Sequence, residues 1–284
     1  MKGLNRLREA HVLLEIFVVS NFAFLTVDIY IAHSINRFRH WAEWIPFWFS
    51  LAAIVALVPN LVRSLVPASE WRPSRTGAVV GATAITVGVL GMFWHLDSHF
   101  FAEQTLHNLV YAAPFIAPLS YAGLGFLLLL NRMTDPVSAD WAPWVVLLAL
   151  GGFIGNFALS TLDHAQNGFF VTTEWIPVIA SAMAIGALVV ALYRPGDGHY
   201  MRFVMVVLGL QIVVGVVGFA LHFAANVGGP SGWWENLLYG APIFTPLLFP
   251  NLAILAALGV WVLARREETA RPPLPDAEAG TSGR

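Results

Sequence analysis

The chain carries one set of motifs twice, in the same order. Residues 87–118, VGVLGMFWHLDSHFFAEQTLHNLVYAAPFIAP, return as residues 214–246, VGVVGFALHFAANVGGPSGWWENLLYGAPIFTP. Common to both stretches are Val-Gly-Val, a glycine (Gly91 and Gly218) and a histidine (His95 and His222). Asn108-Leu109 then matches Asn236-Leu237, and Tyr111 matches Tyr239, each ahead of an Ala-Pro pair. Upstream, NFAFLTVD from Asn21 to Asp28 is echoed by NFALSTLD from Asn156 to Asp163, and Glu43-Trp-Ile-Pro46 reappears as Glu174-Trp-Ile-Pro177. Motifs kept in order over this length mean an internal duplication, so the fold must be two similar units joined in tandem.

The nature of those units follows from the apolar runs. Apolar residues make up 57% of the 284 and charged ones only 11%, where a soluble domain carries about 25% charged residues. Runs of the ~20 residues that cross a bilayer fall at 11–32, 44–63, 77–97, 107–130, 143–162, 175–193, 201–224 and 236–264. The expectation is an all-α integral membrane protein of eight transmembrane helices, arranged as two tandem four-helix repeats. An even number of spans per copy points both copies the same way, so their pseudo-two-fold axis should run along the membrane normal. The boundaries read as a leader at 1–10, a first repeat at 11–132, a linker at 133–142, a second repeat at 143–265 and a disordered tail at 266–284.

Basic residues predict the orientation. With both termini cytoplasmic, Lys2, Arg6, Arg8, Arg63, Arg72, Arg75, Arg132, Arg194, Arg202, Arg265, Arg266, Arg271 and Arg284 lie inside, and only Arg37 and Arg39 lie outside. That bias reads as a multi-pass protein of the bacterial inner (plasma) membrane. The first run is a true span rather than a cleaved signal, because it is long and its counterpart at 143–162 is internal. The bilayer is thus the first partner, and no nucleic acid is expected. Without cysteine there are no disulfides, thiolate copper sites, iron–sulfur clusters or covalently attached haem.

On this topology the ionisable residues gather at the outer ends of the spans. Asp28, His33, His40, Glu43, His95, Asp97, His99, Glu103 and His107 do so in the first copy, and Asp163, His164, Glu174, His222 and Glu235 in the second. A single imidazole at a span end is ordinarily a hydrated interfacial residue, the reading given to His33, His40 and His164. Glu-Trp-Ile-Pro has an equally plain reading, as a helix start with its tryptophan at the interface. Tyr111 and Tyr239 read as supports for a proline-kinked fourth span, whose freed backbone groups must find partners on neighbouring helices.

Residues present in both copies are a different matter. A buried carboxylate costs several kcal/mol unless paired or metal-bound, so Asp28, Asp163, Glu43 and Glu174, brought with His95 and His222 to one outer chamber, would suit a metal centre. Asn21 lies on the stripe of Asp28, and Asn156 on that of Asp163. Imidazole with carboxylate and no sulfur favours iron, manganese or zinc. A second arrangement confines the site to the first copy, with His95, His99 and His107 as nitrogen ligands and Glu103 or Asp28 as oxygen ligands. There His99 aligns with Asn226, and His107 with Glu235. Helical spacing would put His95 on one face with His99, and Glu103 on one face with His107 and Tyr111.

Three functions are compatible with that inventory. One is a membrane oxidoreductase that uses the metal on a lipid-soluble substrate, with an unidentified redox partner. Another carries electrons on haem b or a quinone. The layout of two tandem four-helix copies resembles that of haem A synthase, which implies haem b. That family's paired histidines stand on the second and fourth spans of each half, and only His107 comes near such a position. The third is a cofactor-free transporter or assembly subunit with a wet outer vestibule.

Overall fold

The computed structural model of the chain describes residues 2–65, 74–135 and 138–270, with side chains between residues 9 and 266. Most of the leader's side chains, the loop at 66–73 and the tail beyond residue 270 lie outside the described residues.

All regular structure among the described residues is helical. In chain order the helices are α1 (Lys2–Ser34), α2 (Trp44–Ser64), α3 (Arg75–Asp97), α4 (Leu106–Val110), α5 (Leu119–Met133), α6 (Trp141–Gln166), α7 (Trp175–Tyr193), α8 (Gly198–Val227), α9 (Trp233–Tyr239) and α10 (Leu248–Ala270). Single 3₁₀ turns precede α2 (Trp41–Glu43), α7 (Thr172–Glu174) and α10 (Thr245–Leu247). Pro46 and Pro177 are the third residues of α2 and α7, where a missing amide hydrogen leaves no bond unmade. α10 runs through the first residues of the expected tail.

Seven of these segments are long and apolar enough to cross a membrane: Glu9–Ser34, Trp41–Ser64, Arg75–Asp97, Trp141–Gln166, Thr172–Tyr193, Gly198–Val227 and Thr245–Arg266. The architecture is that of a helical, multi-pass membrane protein. The expected continuous span at 107–130 is instead broken. Its helical part, α5, has 15 residues, about 22 Å at 1.5 Å per residue, against a hydrocarbon core of about 30 Å. Pro114 and Pro118 cause the break, each removing an amide donor and turning the residue before it away from helix. Pro242 and Pro246 break the second copy likewise between α9 and α10, but there the helix resumes with a full span.

Each half packs as a ring of four. α1 packs on α2 and α5, α2 on α3, and α3 on α5; then α6 on α7 and α10, α7 on α8, and α8 on α10. α3 and α5 approach closely, where a Cβ on Gly81 would come within 2.9 Å of the Gly125 carbonyl. With Gly77, Ala84 and Gly88 also buried on α3, this is the small-residue contact by which helices associate in lipid. The halves meet reciprocally: α1 touches α9 and α10, while α6 touches α4 and α5.

At the end of the bundle away from the histidine-bearing loops lies a buried charge. The Arg132 guanidinium on α5 pairs with Glu15 Oε1 on α1, and Ser64 Oγ on α2 donates to Glu15 Oε2 at 3.0 Å. Next to this pair Asn131 donates to the His11 carbonyl at 3.2 Å and accepts from Trp141 Nε1 at 3.3 Å. The spans are therefore less free of ionisable groups than the hydropathy pattern implies.

Candidate functional site

The proline breaks explain the recurring histidine. Where a helix stops at Ala-Pro its carbonyl loses the amide that would have bonded to it, and in a membrane a neighbouring helix must supply a donor. His95 Nδ1, on α3, lies 3.0 Å from the Pro114 carbonyl, and His222 Nδ1, on α8, lies 2.8 Å from the Pro242 carbonyl. The amide beside each proline is met as well: Ala113 N donates to Ser98 Oγ and Ala241 N to Asn226 Oδ1, both at 2.9 Å. Sequence alignment sets Asn226 against His99, yet the residue that shares its task is Ser98. Gly91 and Gly218 let each helix come this close, since a Cβ there would sit 2.8 and 2.9 Å from the ring of Pro118 and Pro246 respectively.

A second histidine in each half joins the first. His33 Nδ1, at the end of α1, lies 3.0 Å from the Glu43 carbonyl, and its ring centroid is 6.3 Å from that of His95, with the planes at 62°. In the other half, His164 Nδ1 is 4.0 Å from Glu174 Oε2 and within electrostatic reach of His222. The loops that follow show that His33 and His164 correspond. Asn36 N and Phe38 N both donate to the His33 carbonyl, as Asn167 N and Phe169 N do to that of His164. Arg37 and Phe38 have φ of 56° and 49°, Gly168 and Phe169 of 68° and 51°. Phe38 stacks on Trp44 and Phe169 on Trp175, each at 4.1 Å. Sequence comparison anchored on Asp28 and Asp163 misses this pairing, because His33 follows its aspartate by five residues and His164 by one.

These bonds fix the imidazole chemistry. A carbonyl oxygen only accepts, so Nδ1 of His33, His95 and His222 carries the proton. In the neutral ring Nε2 then keeps a lone pair, the state in which histidine binds a metal or accepts a proton.

Most other expected site residues stand elsewhere. α3 ends at Asp97, so His99 and Glu103 fall in the exposed turns before α4 and their helical spacing loses its meaning. His107 is exposed on α4, its ring tilted at 45° against that of exposed Tyr111 with centroids 4.6 Å apart. Glu235 and Tyr239 are exposed on α9. Asp28 and Asp163 are partly buried, and Asp163 lines a small cleft with Pro114, Ile116 and Gln166 at the seam between the halves. Asn21 bonds to Asn251 across that seam, while both amide atoms of Asn156 are buried without a partner.

Among the described residues no three of the His, Asp and Glu side chains are grouped closely enough to hold a metal ion. Convergence of His95, His222, Asp28, Asp163, Glu43 and Glu174 on one chamber is thus not what the fold brings about. The reason is topological: His95 and His222 ride on α3 and α8, whereas the halves join through α1, α5, α6 and α10 with the short helices α4 and α9. What forms is a histidine pair in each half. Comparison with protein-family models, with curated protein sequences and with solved structures returned no match to the chain.

Proposed function

We propose that the protein is a duplicated inner-membrane metalloprotein with a two-histidine centre in each half, His33 with His95 and His164 with His222, and that it acts as an oxidoreductase on a lipid-soluble substrate. α5 counts as its short eighth span, and both termini lie in the cytoplasm, so the histidine-bearing end faces outward. The reciprocal seam, α1 on α9 and α10 against α6 on α4 and α5, supports the duplication, because a two-fold relation requires each contact to have its mate.

One observation carries the metal reading: the Ala-Pro carbonyls hold Nδ1 of His95 and His222 at 3.0 and 2.8 Å, which presents Nε2 as a ligand. Distance adds to it. Two metal–nitrogen bonds of about 2 Å, plus about 1.2 Å from each ring nitrogen to its ring centre, span at most ~6.4 Å. The 6.3 Å between the His33 and His95 rings is at that limit. With only two imidazoles from each half, exogenous ligands would complete the coordination, and iron, manganese or zinc suits nitrogen ligands without sulfur.

Two imidazoles with free Nε2 would also serve as ligands to a haem iron, so haem b is the second reading. Elemental analysis of the purified protein with a visible spectrum tests both. Stoichiometric iron, manganese or zinc in a colourless sample supports the first reading, and a Soret band the second. Absence of both, with His95→Asn unchanged in every property, overturns the proposal and leaves a transporter or assembly subunit.

A further inference from the structure

The halves differ at the loop between α1 and α2, and the difference has the chemistry of a binding site. Asn36, Arg37, Arg39, His40 and Glu43, with Tyr239 from α9 of the other half, line an open cleft of about 410 Å³. Arg37 and Arg39 are the two arginines assigned to the outer face, and among the described residues neither forms an ion pair. His40 Nδ1 accepts from Ala42 N at 3.3 Å, so its proton sits on Nε2, free to donate. Matched through the shared hydrogen-bond pattern of the two loops, Arg37, Arg39 and His40 correspond to Gly168, Phe170 and Val171. The other half keeps the loop and lacks the donors.

The backbone shows that these donors are held there at an energetic cost. Position 168 uses glycine at φ 68°, where a left-handed residue costs nothing, but position 37 puts arginine at φ 56°. Strain of this kind persists where the surroundings over-determine it and is concentrated at binding sites. Phe38, left-handed as well and stacked on Trp44, supplies the restraint.

We infer that this cleft binds the phosphate group of an anionic ligand, with the guanidinium groups of Arg37 and Arg39, His40 Nε2 and the Tyr239 hydroxyl as donors. Guanidinium groups match phosphate oxygens with paired, charge-assisted hydrogen bonds. Two arginines against Glu43 leave one net positive charge, which suits a phosphate diester or a singly charged monoester. An anionic lipid headgroup and a soluble phosphate compound share that chemistry. Because Tyr239 belongs to the second half, an occupant would tie the halves together.

The test is the melting temperature of the full chain in neutral detergent, titrated with phosphatidylglycerol, with phosphatidylcholine, or with inorganic phosphate. Phosphatidylglycerol should raise the melting temperature of the wild type by at least about 3 °C over phosphatidylcholine, through selective binding to the folded state. Arg37→Gly copies the other half, so it should fold with an unchanged or higher basal melting temperature, yet weaken phosphatidylglycerol binding about tenfold or more. Arg39→Gln should weaken it similarly. An equal rise with inorganic phosphate alone, lost in Arg37→Gly, supports the site and assigns it to soluble phosphates. Full retention of the rise in both variants, or no rise with either anion in the wild type, overturns the inference.

Discussion

Asn21 and Asn251 hydrogen-bond to each other across the seam between the halves, whereas Asn156, the asparagine of the second Asn-Phe-Ala motif, is 3% exposed and has neither amide atom bonded. A buried amide left unpaired costs about 1–3 kcal/mol, and paired ones in membranes contribute about 0.6 kcal/mol on average. Asn156→Leu should therefore leave the melting temperature unchanged or raise it. Asn21→Leu, which orphans Asn251, should destabilise by about 1–2 kcal/mol. Unfolding in detergent would report both changes.

The Glu15–Arg132 pair calls for a cycle rather than a single change. Removal of one member of a buried pair costs about 3–5 kcal/mol because it strands the other charge, while replacing both with apolar residues is often neutral. Glu15→Leu or Arg132→Met alone should sharply reduce folded yield and melting temperature. The double variant should regain most of the loss. If each single variant melts like the wild type, the pair does not hold α1 to α5.

Much of this architecture was legible in the sequence, for a physical reason. Helix starts at Glu-Trp-Ile-Pro and the Ala-Pro breaks are set by local rules, and the sequence shows each of these motifs, with its histidine, at two places. Glu15 was hidden because its partner is 117 residues away and neither residue recurs in the second copy. The shortness of the helix at 119–133 is not legible in hydropathy, which does not register that two prolines four residues apart stop a helix, as they do before α5. The His33–His95 pair was missed for a different cause: spacing along α1 describes one helix face and says nothing about which diagonal neighbour approaches it.

Acid should loosen the start of α8. Asp197 Oδ1 accepts from the amides of Tyr200 and His199 at 3.0 Å each. The Tyr200 bond foremost holds this exposed carboxyl below its ordinary value of 3.8. A group whose folded pKa is lowered stabilises fully above its unfolded pKa, and that contribution disappears as pH falls through the lowered one. The wild-type melting temperature should thus drop as pH goes below about 4, and Asp197→Asn should remove part of that drop while keeping an acceptor for the cap. Identical profiles for the two proteins would exclude this cap as a source of acid lability.

His95 has two separable tasks, and one substitution divides them. Its Nδ1–H satisfies the Pro114 carbonyl at 3.0 Å, and its Nε2 is the proposed ligand. Asparagine places an amide N–H near the position of Nδ1 and nothing at Nε2, so His95→Asn should keep the carbonyl bonded and the melting temperature near that of the wild type. His95→Ala strands the carbonyl and should cost about 1–3 kcal/mol. If the histidine pairs bind metal, both variants should lose about half of the bound metal, with the rest lost on adding His222→Asn. Should His95→Asn retain the full metal content, His95 is a structural donor alone, and the ligands must be sought among other side chains.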